Sequence, residues 1–373
     1  MIYLDYQATT PLAPEARAAM LPLLDAQFGN PHSPHALGRE AKAVVEVARE
    51  RIAQAFAPER GRLIFTAGAT EALNLALKGA MARAPAGRGR IVTIATEHAC
   101  VLDSAAWLAA QGFELVVLRV DREGIVDLDQ AAAAIDARTA LVAAMLVNNE
   151  IGVIQPIAAL SAMARAAGAL MVCDAVQGFG RIAVPVADCD MVAISAHKIH
   201  GPKGIGALWL RDRVEIDPLL HGGGQEYGLR SGTLAPALCA GFGVAARLAF
   251  DRLDEDQAHV RRLRDAALAT LSPLWRINGA ADRRWPGNLN LRRDGVDAAR
   301  LIAELRDLAF SAGSACASGS GRPSHVLNAI GLTTTQARSS IRLGFGRYTT
   351  LGEIGAATAM IEQAAGRQLE WAA

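Results

Sequence analysis

Between about residue 60 and residue 210, short apolar runs alternate with alanine-rich stretches, and this alternation limits the possible folds more than any other feature. The runs are RLIFTAG, RIVTIATE, FELVVLRV, TALVAAMLV, ALMVCDAV, MVAISAHK and GALWLR. Several are apolar at successive positions, as expected of strands covered on both faces. Strands alternating with helices build βαβ units and a mainly parallel sheet, here of seven strands. The pattern predicts an α/β fold with a large domain over residues 14–253. After about residue 235 the texture changes. The stretch PALCAGFGVAARLAFDRLDEDQAHVRRLRDAALATL reads as one long linking helix. Strand candidates NLNLRR, LAFSAG and SSIRLGF follow and read as a smaller α+β unit, and the expected second domain is residues 1–13 with 254–373.

Composition narrows the function. The 373 residues are 51% hydrophobic and 20% charged, with a formal net charge of +1. No acidic or basic block points to nucleic acid or membrane, so the expected ligand is a small molecule. The start, MIYLDYQATT, is too polar for a secretory signal. No apolar run approaches the roughly 18 residues needed to span a bilayer. The five cysteines (100, 173, 189, 239 and 316) are odd in number and include no C-x-x-C pair. That argues against a disulfide framework or a cysteine-rich metal site, and for a reducing, cytoplasmic compartment. Cys100, Cys173, Cys189 and Cys239 lie in apolar or mixed contexts and read as small buried hydrophobes. Cys316 differs: its surroundings, FSAGSACASGSG, offer no core.

In a parallel sheet, ligands bind beyond the carboxyl ends of the strands. Here those ends carry Gly68-Ala69-Thr70-Glu71, Glu97-His98, Asn148-Asn149-Glu150, Asp174 with Gln177, and Ser195, His197 and Lys198. Any one of these could be a cap or a turn. Successive strands bringing His, Asn, Asp, Gln and Lys to one edge call for a ligand. Pyridoxal phosphate accounts for the set. Its aldehyde needs an amine, Lys198. Its ring nitrogen needs a carboxylate, Asp174, so that the ring can draw in electrons. His98 suits the ring face, Asn149 and Gln177 the phenolic oxygen. The small-residue turn at Ala69 and Thr70, opening a helix, suits the phosphate together with Ser195 and His197.

Ten motifs in order then show a resemblance. They are YLDYQATTP, FGNPHSPHALGR, FTAGATEALN, TEHACVL, VNNEIGVIQPI, DAVQGFG, SAHKIHGPKGIGAL, HGGGQEYGLRSGT, SAGSACASG and SSIRLGFGR. Over nearly its whole length the chain resembles the cysteine desulfurases of iron–sulfur cluster assembly, in the class V aminotransferase branch of the fold-type I pyridoxal phosphate enzymes. The resemblance implies that Lys198 carries the cofactor and that His98 stacks on it and moves protons. It repeats the roles given above to Asp174, Gln177, Asn149, Thr70, Ser195 and His197. It adds Thr233, reaching the phosphate of the neighbouring subunit in a homodimer, and Arg342 and Asn30 on the substrate carboxylate.

The resemblance also implies the role of Cys316. Its thiolate takes sulfur from L-cysteine, leaving L-alanine and a protein persulfide that is passed to an acceptor protein such as an iron–sulfur scaffold, to supply iron–sulfur cluster assembly or tRNA thiolation. A stretch of Gly, Ala and Ser gives such a thiol room to travel. The following ASGSGRPSHVLNAIGL reads as a long loop of the type that delivers sulfur directly. Ala196 and His200 stand where the family more often has Gly and Tyr, and neither change removes a catalytic group. Housekeeping members usually continue further past IEQAAGRQLEWAA with a segment that docks the scaffold, which bears on the acceptor and not on the chemistry. The rival readings are a selenocysteine lyase, another class V aminotransferase, and a non-catalytic scaffold. The last would require loss of Lys198, Asp174 or Cys316, and all three are present.

Overall fold

Strands built from consecutive Val, Ile, Leu and Ala need apolar cover above and below, and the chain supplies it on both sides. The computed structural model describes residues 1–57, 59–272, 274–312 and 324–372. Strand β1 (Ile2–Tyr3) opens the chain. The central sheet follows, made of β2 (Gly61–Thr66), β3 (Arg90–Ile94), β4 (Glu114–Leu118), β5 (Thr139–Met145), β6 (Leu170–Asp174), β7 (Met191–Ser195) and β8 (Gly206–Arg211). Its order is β2-β8-β7-β6-β5-β3-β4, and only β8 runs against its neighbours. The seven strands fall on the seven runs read from the sequence.

Successive side chains point to opposite faces. Ile64, Ile91, Leu141, Val172 and Leu208 face the helices Ala69–Ala82 and Ala99–Ala110. Leu63, Val92, Val142, Met171 and Trp209 face the helices Ala36–Ala53, Ile157–Ala167 and Pro236–Asp251. Each such side chain contributes about 1.5–3 kcal/mol by leaving water. Gly168, at φ 71°, ends the helix Ile157–Ala167 in a left-handed cap and turns the chain into β6.

The smaller unit is an antiparallel sheet of β9 (Arg276–Ile277), β10 (Asn288–Arg292) and β12 (Ser340–Gly344), with β10 in the middle. Strand β11 (Leu308–Ala309) pairs in parallel with β1, which ties the amino terminus to this unit. The helices Leu253–Leu271 and Leu351–Ala372 cover it.

Two sequence expectations are corrected. The long helix is two helices, Pro236–Asp251 and Leu253–Leu271. Arg252 between them leaves the helical region, at φ −112° and ψ 11°. Its guanidinium pairs with Glu255 at 3.0 Å, and its carbonyl accepts from Asp256 N–H at 2.8 Å, opening the second helix. The long loop after Cys316 is also interrupted. Ser324 caps a short helix, His325–Ala329, by accepting the Leu327 N–H at 3.0 Å. A capping box formed by Thr333 and Gln336 then opens Thr334–Arg338.

Candidate active site

The polar residues that follow the parallel strands converge on one cavity of about 870 Å³. It is lined by Ala69 and Thr70 after β2, His98 after β3, Asn149 after β5, Asp174 and Gln177 at β6, and Ser195, His197 and Lys198 at β7. Arg342 reaches it from β12 of the smaller unit. Topology explains the convergence, because β2, β3, β5, β6 and β7 all point their carboxyl ends the same way.

Lys198 sits at the end of a tight turn, Ala196–Lys198, directly after β7. Its Nζ donates to the backbone oxygens of Gln7 (2.5 Å) and Ala8 (2.8 Å). Asp174 is buried, and its Oδ1 accepts the Val176 N–H at 2.9 Å. Burial pushes its carboxyl above the usual range, while that N–H and the charges of His98 and Lys198 pull it down. Gln177 is held in a single sense. Its Oε1 accepts from Arg181, which can only donate, so its Nε2 is the group that donates to Gln7 O at 2.9 Å.

His98 caps the helix Ala99–Ala110 with its ring. Its Nδ1 accepts the Cys100 N–H at 3.2 Å and lies 3.1 Å from the Cys100 Sγ. Burial, above all, lowers its affinity for a proton, with the nearby Lys198 and His325 adding to the effect and Asp174 opposing it. His197 is depressed to about 4, chiefly by burial and then by Lys198. Its Nδ1 is 3.1 Å from the Thr9 hydroxyl. At the other wall, Arg342 is 1% exposed. It donates to Asp5 Oδ1 (2.7 Å), Ser311 Oγ (3.3 Å) and Asn149 O (3.0 Å), while its buried Nε has no partner among the described residues.

Three expected site residues are not in this wall. Asn30 is exposed, and its side chain accepts the His32 N–H at 2.9 Å. Thr233 is exposed and outside the cavity of the single chain. Cys316 lies outside the described residues. Cys173, Cys189 and Cys239 are buried, as their contexts suggested. Cys100 is corrected: it is only partly buried and lines the cavity, with burial raising its thiol above the usual range.

Sequence reasoning also missed part of the wall. Gln7, Ala8 and Thr9 close one side, and His325 stands with the strand-end Glu150 near Arg342. Among the quoted motifs, YLDYQATTP contained the first three without indicating what they touch.

The donor set fits pyridoxal phosphate. A buried carboxyl facing a cavity gains from a cationic N–H, and an amine stands in the same cavity to meet an aldehyde. The first turn of Ala69–Ala82 offers backbone N–H groups to a phosphate. Glu71 in that turn is not a competing free charge, since Arg230 pairs with it at 2.8 Å. Buried in the wall, Gln7 Oε1 has no partner among the described residues.

The comparisons agree with this fold. Residues 2–356 match the aminotransferase class-V family model, and the chain belongs to that family. It is 46% identical over 369 residues to a cysteine desulfurase IscS of Rickettsia bellii (strain OSU 85-389), covering 96% of this chain and 90% of the relative. The solved structure of a NifS-like protein superposes with a TM-score of 0.91 at 32% identity, over 97% of this chain and 98% of that one. The structure of SspA in complex with cysteine gives a TM-score of 0.85 at 33% identity, over 94% and 100% of the two chains. Members of the cysteine desulfurase group depend on pyridoxal phosphate. Among the described residues, no helix is long and apolar enough to cross a membrane.

Proposed function

We propose that this chain is a pyridoxal phosphate-dependent cysteine desulfurase, converting L-cysteine to L-alanine and taking the sulfur onto Cys316 as a persulfide. The observation that carries the reading is one cavity lined by Lys198, Asp174, His98 and Arg342. When bound, the cofactor supplies an electron sink for the substrate carbon framework. Lys198 would hold it, Asp174 would keep its ring nitrogen protonated, and Ala69, Thr70, Ser195 and His197 would hold its phosphate. Asn149 and Gln177 would meet the phenolic oxygen.

The chain's own residues do the rest. Arg342 orients the substrate carboxylate through a planar fork. The Lys198 amine exchanges protons at the substrate α-carbon. Cys316, as thiolate, attacks the substrate sulfur. An S–S bond forms, the C–S bond breaks, and the carbon fragment gains a proton to become alanine. Thr233 completes the phosphate site of a second copy, which makes the working unit a homodimer. Residues 14–253 carry the cofactor site, and residues 1–13 with 254–373 carry Arg342 and Cys316. The acceptor is a cytoplasmic sulfur-receiving protein, such as an iron–sulfur scaffold.

The test is alanine production from L-cysteine by the purified holoenzyme with a reductant present. Stoichiometric alanine and sulfide are expected, and Cys316→Ala should bind cofactor and cysteine yet form little alanine. Full turnover by that variant removes Cys316 from the chemistry. Cofactor without alanine in the unaltered chain sinks the desulfurase reading and makes selenocysteine the next substrate to try.

A further inference from the structure

His325 lines the same cavity as His98, Glu150 and Arg342. It opens the helix His325–Ala329, whose cap, Ser324, also donates its hydroxyl to the buried carboxyl of Glu150. The His325 Nε2 lies 2.8 Å from the backbone oxygen of Glu97. A carbonyl oxygen only accepts, so Nε2 carries the proton and Nδ1 is the bare nitrogen of the neutral ring. The anchor is firm. Glu97 is fully buried, and its Oε1 accepts the Met145 N–H at 2.5 Å, at the end of β5. Nδ1 of His325 has no hydrogen bond to any described residue.

His98 has the opposite arrangement. Its Nδ1 is taken by a backbone N–H, so its neutral ring carries the proton on Nε2. Two of the imidazoles that line the cavity, His98 and His325, therefore have fixed and opposite tautomers, one offering an N–H and one offering a lone pair.

We propose that His325 is a further proton-transfer residue of this site, whose Nδ1 accepts the proton of the attacking thiol while its Nε2 stays tethered to Glu97. The inference rests on the desulfurase reading. The S–H bond breaks with its electron pair left on sulfur, and an N–H bond forms at Nδ1. That pair makes the S–S bond as the C–S bond breaks, and the proton held by His325 balances the one gained by the carbon fragment. The ionisable groups that share this wall with the ring are Glu150, His98 and Arg342.

The first test needs no turnover. Long-range ¹H–¹⁵N correlation on the histidine-labelled chain should show the neutral His325 ring protonated at Nε2, and a neutral ring protonated at Nδ1 would overturn the proposal. The second uses the holoenzyme with His325→Gln. Glutamine keeps a side-chain N–H for Glu97 but holds no proton at neutral pH. Alanine formation should fall about 100-fold in kcat with KM for cysteine unchanged, and the acidic limb of the pH profile should disappear. An unchanged kcat and pH profile would mean that His325 is only a tether. If His325→Gln does not fold, His325→Ala with added imidazole replaces it: recovery of rate supports the proposal, and no recovery overturns it. If the unaltered holoenzyme makes no alanine, the desulfurase reading fails and this proposal falls with it, whatever the tautomer.

Discussion

The Nδ1 of His98 accepts the backbone N–H of Cys100 at 3.2 Å, two residues further along the chain. An amide N–H only donates, so this contact fixes the tautomer of the ring. It also places the ring at a helix amino terminus, where positive charge is disfavoured. His98 is thus held neutral with its proton on Nε2, and a second proton would have to break the cap. The expected outcome is an Nε2–H ring that stays neutral at pH 6, where an ordinary histidine is largely charged, as read from imidazole ¹⁵N shifts. Cys100→Ala removes the thiol and keeps the backbone donor, so the tautomer should persist. A charged His98 at pH 6 would show that the cap does not control it.

Arg342 is pinned by Asp5 at 2.7 Å and by the Asn149 carbonyl at 3.0 Å. These contacts use two planar N–H directions and set the angle at which the rest of the fork meets a carboxylate. Arg342→Lys keeps the charge for Asp5 and loses the plane. We expect KM for cysteine to rise by about tenfold or more, in line with losing a charge-assisted hydrogen bond of about 1.5–3 kcal/mol, with little change in kcat. Steady-state kinetics on the two proteins decides it, and an unchanged KM would take Arg342 out of substrate binding.

Lys198 Nζ is held by Gln7 O and Ala8 O, so the amine is fixed before any ligand arrives. Lys198→Ala should fold, since it removes two hydrogen bonds worth about 1 kcal/mol each. It should also lack the visible absorbance of protein-linked cofactor. An absorption spectrum and a melting curve check both halves, and normal colour in the variant would refute the assignment.

These cases show what the sequence could and could not say. The strands were legible because burial on both faces leaves runs such as Val-Ala-Ala-Met with no polar break. The strand-end residues were legible too: His98, Asp174 and Lys198 fall at or just past the carboxyl ends of β3, β6 and β7. What joins distant segments left no local trace. Asp5 and Arg342 are 337 positions apart, and the carbonyls that hold Lys198 belong to residues of unremarkable type. Cys100 looked like core because its neighbours are apolar, yet it stands at the cavity edge of its helix. The break at Arg252 was invisible because the amphipathic pattern runs straight through it, and only the backbone angle departs.

His200 gives the pH dependence of stability. Its backbone is left-handed, at φ 67°, and its ring is 4.9 Å from Tyr348 and 5.9 Å from Tyr6, edge to face with both. Its Nδ1 donates to Pro11 O at 2.9 Å. Burial, with the nearby Arg347 charge, lowers the ring to about 3 from an ordinary 6.5. A histidine that is harder to protonate when folded stabilises the fold fully above 6.5. That contribution is lost as pH falls, because the unfolded chain binds the proton first. Between pH 7 and pH 5 the loss is about 2 kcal/mol. His200→Asn tolerates the left-handed backbone and does not titrate. Urea unfolding at the two pH values should therefore show the unaltered chain losing about 2 kcal/mol more than the variant. Equal losses in the two proteins would mean that the ring finds a way to charge without unfolding.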